Sequence, residues 1–351
     1  MAETGKIDPE KLTNFSAEAF VKMGVSEEDA LITARILVAA DLRGIDSHGV
    51  AHLDPFYLTG LKTGRIKANP DIEMFSNSPS TAIMDGDQGL GFVVGHRAMT
   101  EAIRRAKEVG SGFVSVRNST HFGAGGYYAM MALTHDMIGI SCTQGGKGAV
   151  APGSRGRGIG LNVLSVAVPA KREAPFVLDM ATSVVAGGKL EIARRNKASI
   201  PEGWAVDMEG NPVTDPDKAT GGILPLGGTP KMGSFKGFGL TVFVDILCSV
   251  LSGGLTSPEK EGGREGPGPN HFFGAVNIDG FMPPDEFKQR MDNMIKAHHD
   301  LPKAPGVERI YLAGEIEEEI KEKRLRGIPL HPDIIISLKK VSEEMGVEYN
   351  L

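Results

Sequence analysis

The chain has 351 residues, of which 41% are hydrophobic and 23% charged, a composition typical of a globular protein with a substantial core. Its net charge of −6 argues against nucleic acid or an anionic membrane as the main partner. The polar start of the sequence indicates no secretion signal, and no apolar run reaches the roughly 18 residues that would span a membrane.

The first part of the chain predicts two helices. The stretch SEEDALITARILVAADLRG predicts a helix that Ser26 caps, whose inner face includes Asp41 and which Gly44 ends. Residues 46–64 predict a second helix that breaks near Pro55.

The middle of the chain alternates strand-like and helical segments, which favours a layered α/β core. Small and apolar residues from Val94 to Ala106 line one face of a predicted helix, and GGYYAMMALTHD predicts another. The strand-like runs are STAIMD, SGFVSVRNS, MIGISCT, LNVLSVAVP, APFVLDMA and HFFGAVNID.

Loops and helices follow each other in the last part of the chain. Residues 192–231 are rich in Gly, Pro and Asp and predict long connections, and residues 259–270 predict a loop by composition. Between them, SFKGFGLTVFVDILCSVLSGG predicts a long apolar helix opened by glycines. A final helix, in residues 333–345, is predicted to carry Ile334, Leu338, Val341 and Met345 on its apolar stripe.

The two cysteines, Cys142 and Cys248, lie among apolar or small residues. They are expected to be core residues of a protein in a reducing compartment rather than a disulfide. A cytoplasmic location is therefore expected.

The glycines of GLGFVVG, residues 89–95, do not match the dinucleotide fingerprint. Their spacing is off by one residue, and no acidic residue about 20 positions later ends a second strand. The favoured interpretation is a glycine turn that opens a helix.

His48 and His52 have the i,i+4 spacing of a metal-binding pair. The glutamate of the H-E-x-x-H pattern is missing and no third ligand is evident, so no metal is expected. His48 follows Ser47 at a predicted helix–loop junction, where it either faces a cleft or serves as a core or capping residue.

His121 lies in NSTHFGAGGYYA, after a predicted buried strand and before a glycine-rich helix start. Ligands bind at that edge in layered α/β proteins, and an imidazole there can exchange a proton near neutral pH. Because the glycines allow close approach, His121 is predicted to face a bound ligand. Tyr127 and Tyr128 are predicted to pack the helix.

Two further segments offer ligand contacts. GSFKGFGL presents backbone N–H groups at a helix start together with Lys236, which suits a phosphate or a carboxylate, although a glycine hinge is the alternative. Asp179, at a predicted strand end, either accepts a ribose hydroxyl, orients a nearby histidine or caps a helix.

Taken together, these segments resemble the type-2 malate/L-lactate dehydrogenase family, which includes ureidoglycolate and sulfolactate dehydrogenases, diketogulonate reductase and cyclic-imine reductases. ADLRGIDSHGV, DGDQGLG, NSTHFGAGGYYA, VLDMATSVVAGGKLE and FKGFGLTVFVDILCSVLSGG carry the resemblance in colinear order. It implies an NAD- or NADP-dependent oxidoreductase with a non-Rossmann, mixed-sheet α/β core and a helical lobe built from both termini. It also implies a homodimer whose active site lies between lobes and subunits.

The resemblance implies roles for individual residues. His121 and His48 are the expected catalytic pair, since family members have been assigned one or the other as the proton donor or acceptor. Ser47 and His52 are expected at the substrate. The expected cofactor contacts are Asp179, Met180, Ala181, Lys236, Gly237, Gly314 and Glu315.

The same resemblance implies three sections of the chain. Residues 1–77 are expected to form the helical N-terminal part of the first lobe, and residues 78–302 the cofactor-binding α/β core. Residues 303–351 are expected to return to the first lobe as C-terminal helices.

The sequence departs from the family pattern S-H-G-x-x-R-x-x-x-Y at two positions. His52 stands at the arginine position and Phe56 at the tyrosine position, with Tyr57 beside it. An arginine fork binds a carboxylate through two parallel hydrogen bonds, and an imidazole cannot reproduce that geometry. The exact substrate is therefore left open, as is the choice between NAD and NADP.

We expect reversible hydride transfer between a nicotinamide and C2 of a small 2-hydroxy or 2-oxo acid, with a histidine exchanging the hydroxyl proton. His121 is the first choice for that histidine, and His48 shares the relay or polarises the carbonyl. One alternative is a cyclic-imine reductase of the same family. Another is a catalytically silent cofactor-binding relative, which the changes at His52 and Phe56 would explain.

Overall fold

The computed structural model describes residues 5–261 and 268–351, in which helices and strands alternate. The α-helices are Pro9–Lys22 (α1), Glu27–Leu42 (α2), Thr59–Lys62 (α3), Gly91–Val109 (α4), Gly125–Met131 (α5), Gly187–Arg195 (α6), Ser234–Asp245 (α7), Pro284–His299 (α8), Glu315–Arg324 (α9) and Pro332–Met345 (α10). The strands are Lys6–Ile7 (β1), Glu73–Phe75 (β2), Thr81–Asp85 (β3), Ser111–Arg117 (β4), Met137–Thr143 (β5), Lys147–Ala149 (β6), Ile159–Gly160 (β7), Val163–Val168 (β8), Phe176–Ala181 (β9), Ala205–Val206 (β10), Pro212–Val213 (β11), Gly222–Ile223 (β12), His271–Asn277 (β13) and Ile328–Pro329 (β14).

A seven-stranded mixed sheet with the order β2-β3-β4-β13-β5-β8-β9 lies at the centre of the fold. β3 and β4 are parallel, and the other neighbouring strands are antiparallel. α4 and α5 cover one face, and α7 with the π-helical turn that follows it covers the other. Because the central strands are covered on both sides, they are apolar along most of their length. The mixed-sheet α/β class expected from the sequence is confirmed.

Both ends of the described chain meet in one helical layer. α1 packs against α2 and α10, and β1 pairs with β14 through Ile7 and Ile328. The predicted stripe of α10 is confirmed, because Leu338 and Val341 are buried there. The N-terminal and C-terminal segments therefore stabilise one another directly.

The second helix begins where the sequence predicts. Ser26 Oγ accepts a hydrogen bond from the Asp29 amide, which satisfies one of the free N–H groups of the first turn. The helix ends at Leu42, before Gly44, and Asp41 lies on its buried face.

The next segment differs from its predicted form. It consists of two 3₁₀ turns, Asp46–His48 and Val50–His52, then a π-helical turn, Leu53–Leu58, and α3. The break between the helical turns of this segment therefore lies at Gly49 rather than at Pro55. Pro55 lies in the first turn of the π-helical segment, where its missing N–H leaves no bond unmade.

A second, five-stranded sheet with the order β11-β10-β12-β6-β7 was not predicted. Residues 192–231, expected to be connections only, contribute three of its strands, and Trp204 packs against the small core beside them. These strands are two residues long, too short to show an alternating pattern in the sequence.

Three smaller expectations can be compared with the structure. Cys142 and Cys248 are buried and unpaired, which confirms them as core residues. Of the loop predicted for residues 259–270, residues 262–267 lie outside the described part of the chain. Within the described ranges, no helix combines the length and apolar character that crossing a membrane requires.

Candidate active site

Three imidazoles from two parts of the chain, His48 and His52 in adjacent turns and His121 in the loop after β4, converge in one cluster. The ring centroids of His48 and His121 lie 5.6 Å apart, and the His52 ring lies 6.4 Å from each of them. Phe56 adds an edge-on ring 5.5 Å from His121. The structure therefore places three of the four residues predicted for catalysis and substrate binding in direct proximity, and Ser47 contacts His48 through a 2.9 Å hydrogen bond to Nδ1.

The turn that carries His48 rests on a buried carboxyl group. Asp41 is fully buried on α2, and its Oδ2 accepts a 2.8 Å hydrogen bond from the Val50 amide. Gly49 has no room for a side chain, since a Cβ there would lie 2.0 Å from Asp41 Oδ1. Arg324, the last residue of α9, donates to the Asp41 carbonyl and to the Asp46 carboxylate. Elements from both ends of the chain thus fix this turn.

Asp41 should make the stability of the protein depend on pH. Burial raises its pKa from 3.8 to about 7, the Val50 amide opposes that rise and the Asp46 charge adds to it. The folded state therefore binds the proton more tightly than the unfolded state, and stability is lost as pH rises from about 4 to about 7. Asp41→Asn keeps an oxygen for the Val50 amide but does not titrate.

We expect the free energy of unfolding of the wild type to fall, relative to that of Asp41→Asn, by on the order of 2–4 kcal/mol between about pH 4 and pH 8. Urea unfolding of both proteins at several pH values measures this difference. Parallel stability curves for the two proteins would show that Asp41 does not titrate in this window.

His121 is held in the loop that joins β4 to α5. Its Nδ1 lies 2.6 Å from the hydroxyl of Tyr57 and 3.3 Å from the Gly123 amide nitrogen. Burial and, to a smaller extent, the neighbouring imidazoles His48, His52 and His271 together lower the pKa of His121 to about 3. The imidazole is therefore neutral near pH 7.

The backbone of this loop is anchored on both sides. Thr120 Oγ1 accepts a 2.9 Å hydrogen bond from the Gly91 amide at the start of α4, and the Thr120 carbonyl lies 3.1 Å from His271 Nε2. His271 is fully buried and stacks on Phe122 with ring centroids 4.5 Å apart. The expectation that a glycine in residues 89–95 opens a helix is confirmed, because α4 begins at Gly91. The absence of a side chain at Gly91 lets the start of α4 pack closely against the His121 loop.

Asp179 lies on β9 beside the cluster. Its carboxylate accepts 2.7 and 2.8 Å hydrogen bonds from Ser165 Oγ and the Gly126 amide. A Cβ at Gly125 or Gly126 would lie 3.3 or 3.0 Å from these carboxylate oxygens, so the glycines let α5 begin against Asp179.

Asp179 keeps contact with solvent, while β8 and the start of α5 pack against its carboxylate through these hydrogen bonds. Burial raises the pKa of Asp179, and its two hydrogen bonds oppose that rise. Burial lowers the pKa of His48, and the charge of Asp179 opposes that shift. Of the alternatives for Asp179, the structure shows a capping contact with the Gly126 amide in the first turn of α5, together with an electrostatic interaction with His48.

The other residues predicted to contact a cofactor lie at three places. Met180 and Ala181 follow Asp179 on β9 and are half-buried. Gly237 at the start of α7 has its amide hydrogen-bonded to the Leu226 carbonyl, and a Cβ there would lie 2.4 Å from Leu226 backbone atoms. Lys236, next to it, is exposed.

Gly314 and Glu315 lie at the start of α9. A Cβ at Gly314 would lie 2.8 Å from Val177 on β9, so this glycine allows α9 to begin against the strand that carries Asp179. The Glu315 carboxylate already accepts hydrogen bonds from the Leu312 amide, His299 and Arg309. A structural role for Glu315 is thus visible, and its predicted contact with a cofactor stays a prediction.

Sequence reasoning missed the groups that hold the histidines in place. Tyr57, Arg324 and Ser165 are far in sequence from the residues they contact, and their side chains carry no local pattern. A signal for Asp41 existed, because a carboxyl group on the apolar face of a helix requires a partner. Within residues 5–261 and 268–351, no group of three His, Cys, Asp or Glu is arranged to hold a metal ion.

Known proteins resemble this chain over nearly its whole length. A family profile described as malate/L-lactate dehydrogenase matches residues 7–339. Malate dehydrogenase from Pyrococcus horikoshii is 44% identical over 349 residues, which cover 98% of this chain and 96% of that protein. L-sulfolactate dehydrogenase from Methanocaldococcus jannaschii is 41% identical over 347 residues, covering 97% of each chain.

A solved structure shares the fold. The crystal structure of malate dehydrogenase from Entamoeba histolytica matches with a TM-score of 0.92 and 31% sequence identity, over 99% of this chain and 100% of that one. The match therefore includes both the helical layer and the central mixed sheet.

Proposed function

The chain belongs to the malate/L-lactate dehydrogenase family, and from that premise we propose that it transfers a hydride between a nicotinamide cofactor and a small 2-hydroxy or 2-oxo acid. It is an oxidoreductase of 2-hydroxy acids, as the sequence motifs indicate. The observation that carries the finer proposal is the convergence of His48 and His121 beside Asp179.

The segment that follows β9 has groups that fit a dinucleotide. α6 begins at Gly187 and Gly188 without a side-chain cap, and a Cβ at either glycine would meet nothing within 4 Å. Free N–H groups at an open helix start suit a pyrophosphate. We propose that the end of β9 and this helix start hold the cofactor, with Lys236 as a further cationic contact. When bound, the nicotinamide would supply the hydride acceptor or donor.

The side chains of the protein would then transfer the hydroxyl proton and bind the substrate oxygen. In oxidation the hydroxyl proton must leave as the carbonyl forms, and in reduction it must return. An imidazole suits both steps, and His48 and His121 are close enough to contact the same oxygen. His52 and Ser47 border the same space and are the proposed substrate contacts.

A panel of 2-oxo acids, assayed with NADH and with NADPH, tests this proposal. We expect turnover of at least one small 2-oxo acid, such as oxaloacetate, pyruvate or sulfopyruvate, followed by the absorbance of the reduced nicotinamide. The relatives named malate and sulfolactate dehydrogenases are the reason to include those acids. Cofactor binding without turnover of any acid would favour the catalytically silent relative.

The same panel with added amine donor separates the second enzyme candidate. Turnover of a cyclic imine, or turnover that appears only with an amine, would favour a cyclic-imine reductase. His52 and Phe56, which stand where the family has arginine and tyrosine, are what keep this candidate open.

We also propose that the protein is a cytoplasmic homodimer. α7 and the π-helical turn Ile246–Val250 expose apolar side chains at helical spacing, with Phe243 50%, Ile246 43% and Val250 58% accessible. An apolar face of this kind requires a partner surface. A second copy of the chain is the partner for this apolar face that the family resemblance implies. The cytoplasmic location is proposed because buried free cysteines suit a reducing compartment.

Phe243→Glu is expected to shift the protein from dimer to monomer, because it would place a charge inside the proposed interface. Sedimentation equilibrium measures the mass of wild type and variant. Phe281→Glu is the matched control, since Phe281 is 80% accessible and lies outside α7, and it should leave the mass unchanged. A wild type that sediments as a monomer would rule out the dimer.

A further inference from the structure

We infer that Tyr57 is a positioning residue that, with the amide of Gly123, fixes His121 as the neutral tautomer carrying its hydrogen on Nε2. His121 then presents an N–H donor to the substrate oxygen, and the transferred proton belongs to His48. This inference rests on the proposed function for its chemical meaning, but its structural part can be measured without turnover.

The direction of the hydrogen bonds at Nδ1 decides the tautomer. The Gly123 amide nitrogen lies 3.3 Å from His121 Nδ1 and can only donate. Nδ1 must therefore offer a lone pair, which excludes a hydrogen on that atom. The Tyr57 hydroxyl, 2.6 Å away, must donate to the same lone pair, and the remaining ring hydrogen has to be on Nε2.

The electrostatics of the two partners agree with this assignment. Burial raises the pKa of Tyr57 well above its ordinary value, so its hydroxyl keeps the hydrogen that it donates. Burial and the neighbouring imidazoles lower the pKa of His121 to about 3, so the ring carries one hydrogen rather than two near neutral pH.

Packing prevents the tyrosine from turning away. Tyr57 is fully buried in the π-helical turn, with its ring 4.7 Å from that of Phe92 and 5.0 Å from that of Phe56. Phe92 is the second residue of α4, whose first amide is hydrogen-bonded to Thr120 in the His121 loop. The packing around Phe92 therefore holds both the Tyr57 hydroxyl, which donates, and the His121 ring, which accepts.

A neutral imidazole with its hydrogen on Nε2 has no lone pair there to accept a substrate proton. It can donate a hydrogen bond to the hydroxyl or carbonyl oxygen, which favours the polarised carbonyl. In oxidation, the C2–H electron pair leaves as hydride to the nicotinamide, the O–H proton moves to a base, and C2–O becomes a double bond. The base must then be one of the other two imidazoles of the cluster, His48 or His52.

His48 has the features of that base. Its Nδ1 lies 2.9 Å from the Ser47 hydroxyl, which can accept a hydrogen from Nδ1 and leave a lone pair on Nε2. The charge of Asp179 favours the imidazolium that forms when Nε2 takes the proton. His48 and His121 therefore differ in environment. The difference suits His48 to accept the proton and His121 to donate a hydrogen bond to the substrate oxygen.

The test combines a spectroscopic and a kinetic measurement on the full-length protein. Nitrogen-15 NMR of imidazole-labelled protein distinguishes a protonated from an unprotonated ring nitrogen, and a His121→Gln spectrum assigns the signals. In the wild type we expect Nδ1 of His121 without a hydrogen and Nε2 with one. A wild-type spectrum with the hydrogen on Nδ1 would overturn the inference, whatever the activity.

Tyr57→Phe removes the hydroxyl and keeps the ring. We expect a mixture of His121 tautomers, and a kcat for the oxo acid that is lower by about 10–100-fold with KM little changed. Tyr127→Phe is the control, because it removes the same atom from a half-buried ring that lies edge-on against Tyr128 rather than against His121. Wild-type kcat and an unchanged tautomer in Tyr57→Phe would contradict the role of Tyr57.

Failure of this inference and failure of the proposed function give different results. If no acid is turned over, the proposed function fails, and the tautomer of His121 is still decided by its spectrum. If an acid is turned over and the hydrogen lies on Nδ1, the function holds and the division between the two histidines is wrong.

Discussion

His48→Ala and His121→Ala are each expected to lower the turnover of the oxo acid by about 10²–10⁴-fold, while cofactor binding stays close to that of the wild type. His48→Ala removes the proposed proton acceptor, and His121→Ala removes the donor to the substrate oxygen. The rings lie 5.6 Å apart beside Asp179, so each loss acts on the same reacting oxygen.

Steady-state kinetics of each variant gives the loss of turnover, and a fluorescence titration with the reduced nicotinamide gives its affinity. His135→Ala is the matched control, because His135 is an exposed histidine in another turn of the fold. Two alanine variants that both keep wild-type turnover would show that the mechanism is wrong.

Gly91→Ala is expected to reduce both stability and turnover. A Cβ at Gly91 would lie 2.1 Å from the Thr120 carbonyl oxygen and 2.6 Å from that of His121. The backbone must move to relieve this contact, at a cost of about 1–3 kcal/mol in the free energy of unfolding. Because the movement falls on the loop that carries His121, a displacement near 1 Å should also lower kcat by about 10²-fold.

Gly112→Ala separates the loss of stability from the loss of turnover. A Cβ at Gly112 would lie 2.1 Å from the Ala102 carbonyl oxygen, where α4 packs on β4, so the clash is similar but does not involve the His121 loop. Thermal unfolding should show comparable losses for both variants, and only Gly91→Ala should lose turnover per folded molecule. Equal kcat values for the two variants would contradict the coupling between α4 and the loop.

Local signals in the sequence were enough to predict the main helices and strands. Ser26 and Gly44 bracket α2 because capping and helix termination depend on neighbouring residues. The central strands are apolar runs, and all six predicted runs contain strands of the seven-stranded sheet. The small sheet, by contrast, is made of strands too short to carry a pattern, and it exists through pairing between distant segments.

The histidines of the site were predictable, and their surroundings were not. His48 and His121 stand out because an imidazole at a turn or at a strand end can exchange a proton with a bound ligand near neutral pH. Tyr57 and Arg324 act through contacts between distant segments, which only the folded chain reveals. The section boundaries at residues 77/78 and 302/303 and the contacts of Met180, Ala181, Lys236 and Gly237 stay predictions.

The contact of Arg324 with Asp46 and the Asp41 carbonyl has a consequence for synthesis of the protein. A ribosome that has not yet translated α9 has produced every histidine of the cluster but not the Arg324 guanidinium that binds the turn carrying His48. A nascent or truncated polypeptide that stops short of α9 therefore lacks a finished site. Oxidoreductase activity is therefore expected only once α9 has been translated.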